Sequence, residues 1–84
     1  MSTAKQVEIA NWLNSVLITW GSVDYDWVVS AAEWKFGVSV VEVLHGYWIG
    51  YQNGWMSRKM LEGDMDLSLV PGDGEPVELV VPIG

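Results

Sequence analysis

Glu42 and His45 stand three residues apart, so on a helix they share one face, where a carboxylate and an imidazole could ligate a metal or pass a proton. Di-iron chemistry of that kind needs two such motifs and further carboxylates from other helices. His45 is the only histidine in the chain. The pair therefore reads as a capping Glu42 beside a surface or half-buried His45. Glu62-Gly63-Asp64-Met65-Asp66 is rich in hard oxygen ligands but lacks the Asp-x-Asp-x-Asp-Gly order of a calcium loop, and it reads as a solvated acidic connection. Cysteine is absent, which excludes disulfides, thiol nucleophiles and Cys-based zinc sites. No serine has a second histidine to serve it, and no glycine-rich phosphate loop carries a lysine. These residues point to a non-enzyme with no metal and no cofactor.

Charge is the more informative chemistry. Residues 60–84 hold six carboxylates (Glu62, Asp64, Asp66, Asp73, Glu75 and Glu78) and no Lys, Arg or His. Residues 1–59 hold five acidic and four basic side chains, so nearly all of the net charge of −7 lies at the C-terminal end. Such a surface repels nucleic acid and attracts basic protein surfaces. The one basic cluster, Ser57-Arg58-Lys59, would sit at the end of a third helix, where cations complement the helix dipole.

Several elements must position these groups. Eighty-four residues make one domain, 1–84. Half of the residues are apolar and six are Trp, so aromatic burial should build much of the core. Val7, Ile9, Ala10, Leu13, Val16, Leu17 and Trp20 recur at helical spacing and predict a helix over 3–20, opened by a Thr3–Gln6 capping box and stopped at Gly21. Ser22 or Asp24 can cap a second helix, 24–36, ended by Gly37. Ser39 and Glu42 form another capping box and open a third helix, 39–61, bent or broken at its glycines. Gly46, Gly50 and Gly54 are four apart. On one helix they make a stripe for close approach of another helix or a second copy, and the alternative is a turn at Asn53-Gly54. After Gly63 the period becomes two. Leu67 and Leu69, then Val77, Leu79 and Val81, flank the turn chemistry of residues 71–76, which predicts a β-hairpin over 66–82 with an acidic outer face. The fold class is α+β and mostly helical: three helices, then a C-terminal hairpin.

That order is similar to a winged helix-turn-helix domain. The resemblance is carried by residues 31–43, where Phe36, Gly37-Val38-Ser39 and Val43 match the family's turn, an apolar residue followed by the turn triplet and an apolar residue four after its serine. The family usually has a small residue four before the turn glycine, where this chain has Glu33. The resemblance implies a third helix that reads DNA. Here its first turn offers Ser39, Val40, Val41 and Glu42, and the wing carries Asp73, Glu75 and Glu78, which disfavours contact with a polyanion. By size and charge alone the chain is also similar to the small acidic inhibitors of phages and other mobile elements, such as restriction and CRISPR inhibitors.

Three functions follow as expectations. The first is an acidic, non-enzymatic protein-binding module. It would occupy the basic surface of a nucleic-acid-handling complex as a DNA mimic does, using the six C-terminal carboxylates and an exposed aromatic anchor, Tyr47, Tyr51 or Trp55. The second is a winged helix-turn-helix regulator working through Arg58 and Lys59. The third is an assembly subunit, such as a homodimer, joined through Gly46, Gly50 and Gly54. The N-terminus shows no signal-peptide pattern, and no apolar run approaches the roughly 18 residues of a membrane span, so a cytoplasmic protein is expected.

Overall fold

Asp24 has extended backbone (φ −61°, ψ 128°), and its carboxylate accepts a hydrogen bond from the Trp27 N–H at 2.9 Å. That cap fixes the entry of the second helix, and the three helices set the frame of the molecule. The computed structural model describes residues 3–60 and 67–74. Helix α1 spans Thr3–Trp20, α2 Tyr25–Phe36 and α3 Val40–Gln52. Strand β1 (Val23–Asp24) lies between α1 and α2, and β2 (Met56–Met60) and β3 (Leu67–Pro71) follow α3. Helix α1 stops at Gly21, which has φ +79° and donates its N–H to the Leu17 carbonyl at 2.9 Å. Helix α2 stops at Gly37, left-handed at φ 63°, ψ 41°. Replacing Asp24 by Ala removes the cap and should cost about 1 kcal/mol of stability in urea unfolding. An unchanged midpoint would mean that another group takes the Trp27 N–H.

Two expectations need correction along α3. Ser39 is the N-cap, but its side chain makes no cap hydrogen bond, so the reciprocal capping box with Glu42 does not form; the Glu42 N–H bonds the Ser39 carbonyl instead, at 3.1 Å. The helix also ends at Gln52, well before Leu61. Asn53 donates Nδ2–H to the Ile49 carbonyl at 2.8 Å, and Gly54 turns to φ +75°. Glycine adopts that conformation at little steric cost. The chain then drives Trp55 and Met56 into the core and leaves as β2, whose backbone groups pair with β3.

The hairpin differs too. Strand β3 is central in the sheet order β1-β3-β2, all antiparallel. Arg58 stands opposite Leu69 and Lys59 opposite Ser68 on one side, with Val23 opposite Leu69 and Asp24 opposite Ser68 on the other. The described hairpin is therefore β2–β3; the expected partner segment 77–81 of residues 67–69 lies outside the described residues. Successive strand residues point to opposite faces, and Ser68, Leu69 and Val70 are all buried, so both faces of β3 are covered over this stretch.

The core joins all three helices to the sheet. Ile9 and Leu13 of α1, Val28 of α2, Val43 of α3, Met56 of β2 and Leu69 of β3 are almost completely buried. Helices α1 and α3 make the tightest contact. A Cβ on Gly46 would collide with the Ile9 side chain, so the missing side chain is what lets the two helices approach.

Candidate functional site

The outward face of α3 carries two half-exposed aromatic side chains, Trp48 and Tyr51. Trp48 and Tyr51 are three apart and so neighbours on the helix surface. Their rings stack at 5.3 Å between centroids with planes 16° apart. They are 52% and 47% exposed, a large apolar area left in water. Tyr51 continues the array to Tyr47 at 6.0 Å, and Tyr47 meets Tyr25 of α2 edge-on at 6.5 Å.

Arg58 closes the array. Leaving α3 at Gly54 lets β2 run back beside α2 and α3, which brings the Arg58 guanidinium 5.4 Å from the Tyr25 ring centroid and 5.0 Å from that of Tyr47. Its Nη1 donates to the Tyr25 hydroxyl at 3.4 Å. That hydrogen bond, outweighing partial desolvation, pushes the guanidinium pKa up from its ordinary value, so Arg58 keeps its charge throughout the accessible pH range. Neighbouring residues on a strand point to opposite faces, so Arg58 and Lys59 do not form a joint cationic patch.

The expected site residues divide sharply. Tyr51 is exposed as an anchor must be. Tyr47 and Trp55 are only 6% and 5% exposed, so the expectation that either could serve as an exposed anchor is corrected: both belong to the core. Asp73 is exposed in the turn after β3. Glu62, Asp64, Asp66, Glu75 and Glu78 lie outside the described residues. Of the three glycines, Gly46 faces Ile9, Gly50 faces Met56 and Gly54 forms the turn after α3, so the close approaches they permit are made inside this chain.

Tryptophan departs from the expected burial. Trp55 is buried and Trp12 packs on the core, with its ring edge-on to Phe36 at 6.0 Å, but Trp20, Trp27, Trp34 and Trp48 are exposed. Trp20 and Trp27 line one shallow groove with Ser22 and Val23. The sequence reading does not single out Trp48 or Tyr25, and it offers Arg58 only with Lys59 as a DNA contact. The Trp48/Tyr51 spacing was visible, whereas the Arg58 contacts depend on a strand that the helical reading concealed.

The Glu42–His45 pair does not close into a joint site among the described residues. His45 is exposed, with Nδ1 3.2 Å from Gln6 Nε2, and Glu42 is half-buried beside it on α3. Among the described residues no three His, Asp or Glu side chains converge on a metal position. No helix among them is long and apolar enough to cross a membrane. The site offers π faces and a fixed guanidinium, which is chemistry for binding. Compared with family models, curated proteins and solved structures, the chain matches none.

Proposed function

We propose that this chain is a small acidic protein-binding module, not an enzyme, that docks on the basic surface of a nucleic-acid-handling protein and so inhibits it. The observation that carries the reading is the stacked, half-exposed Trp48–Tyr51 pair on α3. Trp and Tyr are the residues most enriched at interface hot spots, and a net charge of −7 supplies long-range attraction towards a basic partner. The aromatic pair gives desolvated affinity, and the carboxylates, with Asp73 exposed among them, give rate and orientation.

A winged helix-turn-helix regulator is the second reading. Three helices followed by the antiparallel pair β2–β3 favour it, as do the left-handed Gly37 between α2 and α3 and the fully buried Val43 near the start of α3. Against it, the first turn of α3 exposes Val40 and Val41, which offer base edges no hydrogen bond.

Two measurements separate the readings. Fluorescence anisotropy with mixed-sequence duplex DNA should show no binding at about 50 mM salt, where phosphate contacts are strongest. A partner captured from host lysate should weaken about tenfold or more between about 50 and 300 mM salt, as screening shortens the reach of the carboxylates. Affinity that stays flat with salt would remove the electrostatic half of the proposal, and tight DNA binding would replace it with the regulator.

A further inference from the structure

Arg58 is a cation at the edge of a binding face in a protein that is otherwise strongly acidic. Its position is fixed in advance. Two tyrosine rings, one on α2 and one on α3, hold the guanidinium at 5.4 and 5.0 Å, and the Tyr25 hydroxyl takes one of its N–H groups. The side chain remains exposed, and among the described residues no carboxylate oxygen lies within the 4.0 Å of an ion pair with it. A guanidinium has five donors in a planar fork, and among the described residues only the tyrosines Tyr25 and Tyr47 engage this one. Tyr47, which Arg58 covers, also touches Tyr51, so the cation and the exposed Trp48–Tyr51 stack belong to one continuous array.

We infer that Arg58 receives one Asp or Glu side chain of the partner protein, while Trp48 and Tyr51 take an apolar side chain next to it. The inference rests on the reading of the chain as a protein-binding module and names the partner chemistry at its aromatic face. A ring-held fork matches a carboxylate with two parallel hydrogen bonds and loses little side-chain entropy when it does so. Charge complementarity selects the ligand: the acidic protein attracts a basic surface, and Arg58 is the one point of this face where a carboxylate on that surface is welcome. A single inverted pair fixes register, because a partner rotated out of place meets like charges.

The test uses the full chain and a library of random 12-residue peptides displayed for selection. The wild-type chain should select peptides with Asp or Glu next to an aromatic or aliphatic residue. A chosen peptide should bind Arg58→Gln about tenfold more weakly, the loss of one well-formed charged contact. Arg58→Lys, which keeps the charge and loses the fork, should recover only part of it. Melting curves matching wild type establish that both variants are folded. Selection of peptides without an acidic position, or of basic peptides that bind Arg58→Gln equally well, overturns the inference and leaves the acidic module standing. A single-stranded 12-nucleotide DNA that outcompetes the best peptide, and does so through Arg58, overturns both.

Discussion

Gly46→Ala should destabilise the protein by about 1–2 kcal/mol, although alanine is the better helix former by roughly 1 kcal/mol. The new Cβ would lie 2.7 Å from Ile9 Cβ, nearer still to Ile9 Cγ2, and 3.2 Å from the Gln6 carbonyl oxygen. Ile9 is fully buried in a helix and β-branched, so it has one favoured χ1 and nowhere to swing. Helix α1 must then move away from α3 as a body, loosening Leu13 and Val43 behind it. Gly50→Ala is the control on the same helix. Its Cβ would meet the Met56 methyl at 2.6 Å and sulfur at 3.0 Å, the far end of a flexible side chain. Methionine repacks cheaply, so collision and propensity should nearly cancel, leaving Gly50→Ala within about 1 kcal/mol of wild type. In thermal melts the Gly46 variant should fall by about 10 °C, given the roughly 4–8 °C per kcal/mol of a domain this size. Equal melting of the two variants would mean that α1 and α3 do not pack as closely as the structure has them.

That contrast also shows what the sequence could and could not carry. The ends of α1 and α2 were legible because each is set by local chemistry: Gly21 and Gly37 at positive φ, and Asp24 as a cap. The end of α3 was not. Trp48, Tyr51 and Trp55 fit helical spacing, and in a chain that is half apolar this periodicity outweighed the local signal of Asn53-Gly54. The local signal is the one the structure follows. Strand β2, Met56-Ser57-Arg58-Lys59-Met60, has no alternating apolar pattern to announce it. It is held by Trp55 and Met56 in the core and by a partner that begins seven residues later, after 61–66. Reading β2 as helix also changes the place of Arg58. As the last turn of a helix it is a dipole-complementing cation, and as a strand residue it lies over Tyr25 and Tyr47. The α+β class survived because helix and strand segments were recognised by period even where their joints and pairings were not.

The sharpest separation of function from stability is expected on α3 itself. Trp48→Ala and Tyr51→Ala should each lower affinity for the captured partner by about 30-fold or more, the roughly 2 kcal/mol of an interface hot spot. Both side chains are about half in water, so either change should leave unfolding within about 0.5 kcal/mol of wild type. Tyr47→Ala and Trp55→Ala should behave the other way. These rings fill the core, and truncating them should cost about 3–5 kcal/mol of stability. Any loss of binding should then follow the fraction unfolded. Trp34 supplies the control for general stickiness, since it is 88% exposed on α2. If exposed indole alone drove capture, Trp34→Ala would weaken binding as much as Trp48→Ala does. If the stacked pair is the anchor, Trp34→Ala leaves the titration unchanged. Calorimetric titration of all five variants at one salt concentration decides between these outcomes. Binding lost only at Trp34 would move the interface from α3 to the outer face of α2.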